Sequence, residues 1–311
     1  MITTPVIPIT HSEIQAFLDC RRAWSWRNVH EYHEPPRYDG ALALGSRVHK
    51  AIELMRTDPS RTALEHFTEL ARVDVAALEA LVRDGTRPEW QLDQLYEDIV
   101  VGRNCVTAYL EWIADEDPYK GYTLEAVERT LEAPILGGRI VLRGKADAIW
   151  RRDDGMGLLL EDYKTSGNFT GGQRELLERS YQHHVYIALL QLLEPGEHMI
   201  KAQYTILKKY KDLSRITAKP VEAFPVPGTL RSGPNKVRQI ENIAKEMLRA
   251  IEMLDVEGAA LMYPTPSSSC RWCEYKQPCE VVDEDPLAAR AMLDRLFVRT
   301  PRHARYGTEV R

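Results

Sequence analysis

Five cysteines in 311 residues are too few for a disulfide framework, and their odd number argues the same way. No apolar run approaches the roughly 20 residues needed to cross a bilayer, so no membrane-spanning segment is expected. The opening stretch MITTPVIPITHSE lacks the basic start and long apolar stretch of a secretory signal, and a cytoplasmic protein is expected. Internal repeats, low-complexity tracts and Gly/Ser linkers long enough to separate independent domains are also lacking. There is no basic excess: Lys and Arg total 41 against 46 Asp and Glu, a net charge of −5. Overall composition therefore does not point to nucleic acid, although phosphate contacts depend on local surface rather than on the sum. Carboxylates gathered around metal ions would push the sum in the same direction. What remains is 44% apolar and 28% charged, the balance of a soluble globular chain able to bury one large core or two modest ones.

Periodicity makes the first third mainly helical. Residues 11–28 read as a helix capped by Ser12, with Ile14, Phe17 and Leu18 at helical spacing. Residues 46–56 repeat the pattern through Val48, Ala51, Ile52 and Met55, and 60–83 and 91–114 follow it. From about residue 122 alternation takes over. A strand leads to the Gly137-Gly138 turn, a second strand, the turn RRDDGMG and a third strand ending in LLLEDYKTS. A long helix is expected over 173–193, ended by EPGE, then a strand at 199–209 and an edge strand in KPVEAFPV, bounded by prolines. A last helix, 235–254, precedes a Cys-rich tail. This order implies an α/β fold with a central mixed sheet flanked by helices. As segments, residues 1–121 are mainly helical, 122–226 carry the sheet, 227–285 hold the helix and cysteines, and 286–311 form a C-terminal tail, all within one unit of 1–311.

The residues with chemistry gather around the strands. Asp147 lies in one strand and Asp162 at the end of the next, where neighbouring antiparallel strands can bring both onto one face. Facing carboxylates repel unless a cation sits between them, and Mg²⁺ or Mn²⁺ is the natural hard cation for oxygen ligands. Asp162 and Lys164, two apart, share a strand face, whereas Glu161 points away with Tyr163. A lysine beside such a metal can orient the attacking water or neutralise developing charge; the stretch alone also reads as a charged strand end. In the following helix Gln182 and Tyr186 stand at i and i+4, able to contact a phosphate or base, or else to tip a partly buried helix. His49, at a helix start, offers a neutral imidazole, with Glu53 one turn later as an ordinary partner.

The ordered series Gly45-x-x-x-His49, Asp147, Asp162-x-Lys164 and Gln182-x-x-x-Tyr186 resembles the motif set of PD-(D/E)XK nucleases of the RecB/AddB/Cas4 type. No single motif is specific; the ordered set is. Ala146 stands where many members carry the proline. The resemblance implies a restriction-endonuclease-like core in which His49, Asp147, Asp162 and the Tyr163 carbonyl hold Mg²⁺ or Mn²⁺. In that scheme Lys164 assists the attacking water, and Gln182 and Tyr186 position DNA.

The cysteines divide unevenly. Cys105 falls among Val101, Val106 and Tyr109 and reads as a core residue. Cys270, Cys273 and Cys279 have the spacing C-x2-C-x5-C, and Cys20 lies 250 residues before them. Spacing alone fits either zinc or an iron–sulfur cluster. The same family resemblance implies a [4Fe–4S] cluster on Cys20, Cys270, Cys273 and Cys279, stapling the C-terminal segment to the N-terminal helix. Candidate DNA contacts are Arg21, Arg22 and Arg27 interleaved with Trp24 and Trp26, and the Lys208, Lys209, Lys211 run. The alternative role for Trp24 and Trp26 is packing around the cluster. The expected activity is a metal-dependent DNA exonuclease of recombination or repair, acting on DNA ends or single strands, with a recombinase or other DNA-processing protein as partner and oligomerisation left open. The alternatives are a Cas4-like processing subunit of CRISPR adaptation and a nuclease-like protein that binds DNA without cutting.

Overall fold

The computed structural model describes residues 6–35, 40–194, 200–215, 218–226, 229–257 and 262–302. In chain order these form β1 (Ile7–Thr10), α1 (His11–Asp19), α2 (Arg21–Trp24), β2 (Tyr32–His33), α3 (Gly40–Thr57), α4 (Ala63–Arg83), α5 (Trp90–Glu116), β3 (Tyr122–Ile135), β4 (Ile140–Arg152) and β5 (Leu158–Ser166). There follow α6 (Gly171–Arg179), α7 (Tyr181–Leu193), β6 (Ile200–Lys208), β7 (Val221–Pro225), α8 (Thr229–Glu257), α9 (Lys276–Val281), α10 (Pro286–Leu296) and β8 (Val298–Arg299).

Local chemistry starts and breaks these elements. Thr10, not Ser12, caps α1: its hydroxyl takes the Glu13 N–H while the Glu13 carboxylate takes the Thr10 N–H. Thr62 with Glu65 and Thr170 with Gln173 open α4 and α6 by the same reciprocal pairing. The helix expected over 11–28 breaks at Cys20, whose backbone is extended (φ −162°, ψ 111°), and resumes at Arg21. It ends in a π-helical turn over Ser25–Val29, closed by the His30 N–H on the Ser25 carbonyl at 2.8 Å. The helix expected over 173–193 is two helices, because Ser180 turns extended (φ −64°, ψ 152°). Most of the EPGE stretch lies outside the described residues, as do 303–311 of the expected tail. Residues 286–302 are not a plain tail: they form α10, capped by Asp285, and β8.

The chain divides into two compact units, Met1–Arg37 with Thr130–Gly144 and Gly233–Arg311, and Tyr38–Arg129 with Lys145–Ser232. The division does not follow chain order, and β3 and β4 each give residues to both units.

In the second unit β4 runs antiparallel to β5 (Arg151 opposite Leu158, Ala148 opposite Glu161), β5 parallel to β6 (Leu158 beside Ile200 through Ser166 beside Lys208), and β6 antiparallel to β7. Leu158, Leu159 and Leu160 are all buried, the pattern of a strand covered on both faces. α3, α4 and α5 pack on one another and bury Leu44, Val48, Ala51 and Ile52 of α3 with Phe67, Val106, Tyr109 and Trp112. Cys105 is buried in that core, its thiol pushed up to about 12 by burial. In the first unit β1 runs parallel to the start of β4, Ile7 beside Ile140. β2 pairs antiparallel with β8. Trp26, Tyr32, Tyr275, Leu293 and Phe297 form a separate small core there, with Cys273 and Cys279 against its edge. Among the described residues no helix is long and apolar enough to cross a membrane.

Candidate active site

β5 sorts its four polar residues by alternation. Glu161 and Tyr163 face the helical layer; Asp162 and Lys164 face the other way. Glu161 is fully engaged there. Its carboxylate accepts from Tyr119 Oη (2.8 Å), Tyr163 Oη (2.7 Å), Thr205 Oγ1 (2.6 Å) and Trp150 Nε1 (3.0 Å), with Arg56 Nη2 at 3.6 Å. A carboxylate so surrounded has no lone pairs left for a metal. On the opposite face Asp162, only 1% exposed, is ion-paired with Lys164 Nζ and accepts from Gln182 Nε2. The same Gln182 nitrogen lies 3.2 Å from Tyr186 Oη, so α7 contributes its i, i+4 pair to this carboxylate.

Asp147 is brought in by β4. The β4–β5 pairing brings Ala148 opposite Glu161, and next to it the Asp147 side chain takes a β5 donor: Oδ2 accepts the Tyr163 N–H at 2.8 Å. The same oxygen lies 3.6 Å from Nδ1 of His49 on α3. A Cβ at Gly45, one turn before His49, would stand 3.0 Å from Thr165 Oγ1, so glycine lets α3 approach β5 at this point. His49, Asp147, Asp162 and Lys164 thus come together, with Gln182 and Tyr186 behind Asp162.

Burial sets the protonation of this group. It pushes the carboxyls of Asp147 and Asp162 up to about 6, against the pull of the Lys164 ammonium, and the Asp147 charge adds to the rise at Asp162. It pushes His49 down to about 4, with Lys164 acting in the same direction. At neutral pH the group therefore presents two carboxylates and a neutral imidazole, the donor chemistry of a hard divalent cation with one nitrogen ligand. Among the described residues no three His, Cys, Asp or Glu side chains converge tightly enough to grip an ion by themselves. Lys164 and Gln182 occupy the Asp162 oxygens that such an ion would share. The donor types fit Mg²⁺ or Mn²⁺ with water completing the shell.

One further residue belongs to this neighbourhood and is not marked by any motif. Glu128 acts electrostatically on both His49 and Asp147 and is ion-paired with Lys145, which shares the Asp147 face of β4. Its backbone is left-handed (φ 51°) in the middle of β3, as at a bulge, and neither alternation nor composition signals that turn.

The candidate DNA contacts occupy other roles. Trp24 is buried edge-on against Phe17 (4.9 Å), so no base can stack on it. Arg22 is buried and donates to Asp283 (2.7 and 3.2 Å), to the Met262 carbonyl (3.2 Å) and to Cys279 Sγ (3.5 Å). Arg21 pairs with Glu246 at 2.6 Å over the Phe17 ring, and Arg27 with Glu274. Lys208 pairs with Glu222 (3.1 Å), Lys211 with Glu97 (2.7 Å), and Lys209 Nζ reaches the Ala41 carbonyl (3.4 Å). Both stretches are thus engaged within the protein, and the burial of Trp24 corrects the expectation that it meets nucleic acid. Cys20, Cys270, Cys273 and Cys279 are free thiols that line one cavity of about 330 Å³ in the first unit.

The family described as the PD-(D/E)XK nuclease superfamily matches the chain over residues 8–280. No curated protein matches it.

Proposed function

The chain belongs to the PD-(D/E)XK nuclease superfamily, whose members are metal-dependent nucleases, and from that premise we propose that it is an exonuclease of the RecB/AddB/Cas4 type, hydrolysing DNA at ends or in single strands. The observation that carries the proposal is the sorting on β5. One acid, Glu161, is consumed by four hydrogen-bond donors and the Arg56 charge, while Asp162 is turned with Lys164 toward Asp147 and His49.

His49, Asp147, Asp162 and the Tyr163 carbonyl would hold Mg²⁺ or Mn²⁺. Once bound, such an ion supplies Lewis-acid polarisation of the phosphodiester and makes a bound water more acidic. The chain's own groups do the rest. The Tyr163 N–H holds the Asp147 carboxylate in place. Gln182 holds Asp162 and is itself held by Tyr186, so α7 orients the ligand rather than leaving it to rotate. The Lys164 ammonium, paired with Asp162, would neutralise charge that develops as water oxygen bonds to phosphorus and the P–O bond to the leaving sugar breaks, the water proton ending on that alkoxide.

In the same proposal Cys20, Cys270, Cys273 and Cys279 hold a structural [4Fe–4S] cluster; their shared cavity supports this, and zinc is the competing occupant. DNA recombination or repair, alongside a recombinase or other processing protein, is the proposed setting.

The test is incubation of purified protein with Mn²⁺ and end-labelled linear or circular DNA, single- and double-stranded. Release of mononucleotides or short oligonucleotides from linear substrates only is expected. Cutting of circles would make it an endonuclease. Lys164→Ala should lose about 10²–10⁴-fold in rate while still binding DNA. Wild-type cleavage by that variant, or no cleavage by any form, would overturn the proposal, the latter in favour of a binding protein.

A further inference from the structure

Behind the metal-facing side of β5 lies a buried ionic cluster that the proposed chemistry does not use. Arg56 and Glu161 are 5% and 0% exposed, with Nη2 and Oε2 3.6 Å apart. Arg56 donates to Tyr109 Oη (2.5 Å) and Tyr119 Oη (3.1 Å). Its guanidinium lies over Trp150 (4.5 Å), Tyr119 (5.1 Å) and Tyr163 (5.3 Å), and the first two of these rings are themselves stacked at 3.9 Å.

Stability is a poor reason for such an arrangement. Taking two charges out of water costs several kcal/mol per ion, and well-packed apolar replacements of buried ion pairs are often neutral or stabilising. Arg56 Nη1 is also buried without a partner, which adds to the cost. What the cluster does supply is directional attachment. Arg56 and His49 both lie on α3, seven residues apart. That spacing is about two turns, which returns the chain to the same helix face within roughly 20°. The face of α3 that carries His49 is therefore bolted to β5 by Arg56.

Tyr163 joins the bolt to the site. Its hydroxyl donates to Glu161, its ring lies between Arg56 and His49 (6.0 Å to the imidazole, edge-on), and its N–H holds Asp147. We infer that the Glu161–Arg56 pair, acting through Tyr163, is a positioning device that sets His49 and Asp147 at the spacing a divalent cation needs. The inference rests on the proposed metal site.

The experiment measures Mn²⁺ affinity by electron paramagnetic resonance and thermal stability side by side. Glu161→Gln should weaken Mn²⁺ binding about 10–100-fold, the range for groups that orient metal ligands. The Glu161→Leu/Arg56→Met double variant removes both charges at similar volume. Tyr119, Tyr163, Thr205 and Trp150 lose their acceptor, so it should melt below the wild type. Its Mn²⁺ affinity, measured well below its melting temperature where it is folded, should still be weakened, which a purely stabilising role would not give. If the double variant binds Mn²⁺ as tightly as the wild type, the pair only stabilises and the inference is wrong. Should that variant not fold, Tyr163→Phe deletes the phenol's bonds to Glu161 and Tyr119 and keeps the ring; unchanged Mn²⁺ affinity there would overturn the inference equally. Asp162→Asn separates the two levels: if it binds Mn²⁺ normally, the metal site itself is misplaced.

Discussion

The carboxylate site and the cysteine cavity solve the problem of gathering ligands in opposite ways. Asp147 and Asp162 come from strands joined by a short turn, and each has protein donors of its own, the Tyr163 N–H for one and Gln182 for the other. Lys164 adds a charge of the right sign. The cysteines instead come from a helix break at Cys20 and from the segment holding Cys270, Cys273 and Cys279, 250 residues later at its nearest. Secondary structure places the first set; closure of a very long loop places the second. A ligand should therefore matter to catalysis at the first and to folding at the second.

The largest expected effect comes from breaking the second set. Cys273→Ser should bleach a brown protein and lower its stability on the order of 5 kcal/mol, the scale of a cross-link closing a loop of this size. A colourless wild type containing zinc would keep the contrast in folding but replace the cofactor. Next in size is Trp24→Ala, which removes a buried ring packed on Phe17 and should cost ~3–5 kcal/mol by chemical denaturation. DNA affinity of the folded variant should be unchanged, and a selective loss of affinity would return Trp24 to the nucleic-acid surface.

The smallest effect is a pH slope from the first set. Asp147 and Asp162 keep their protons up to about 6 in the folded, metal-free protein, and lose them nearer 4 when unfolded. Their contribution is thus fully present at low pH and is lost as pH rises through about 6. His49 acts oppositely: neutral above about 4 when folded, it is protonated below 6.5 when unfolded, so its contribution grows with pH. Two protons against one leave the folded state holding one more between about pH 4 and 6, a fall of about 1.4 kcal/mol per unit. Asp147→Asn/Asp162→Asn keeps only the His49 proton, so its stability by denaturation should rise with pH over that range, and its slope should differ from the wild type's by about 2.7 kcal/mol per unit, the two aspartate protons. Stabilisation by Mn²⁺ should grow over the same interval, as the carboxylates ionise.

The strands and most helices were legible because each is amphipathic at its own period; α4 and α5 begin and end within three residues of expectation. The separation of Asp162 from Glu161 followed from alternation alone and agrees with their surroundings. Other features had no local signal. The break at Ser180 sits inside an uninterrupted helical pattern, and β1 is only four residues long, one of them proline. Glu128 depends on a left-handed backbone that glutamate rarely adopts. The roles of Arg21, Arg22 and Lys211 depended on carboxylates far away in the chain, Glu246, Asp283 and Glu97.

By itself the sequence determined the class of fold, the order of its motifs and which acid of LEDYKTS shares a face with Lys164, because these depend on spacings of two to four residues. Tertiary structure decided who meets whom: that Glu161 is spent on Arg56, Tyr119, Tyr163, Trp150 and Thr205, that Trp24 is interior, and that Cys20 lines one cavity with the distant Cys270, Cys273 and Cys279. Periodicity is a property of neighbours along the chain, whereas partnership and burial arise only when segments far apart in it pack together.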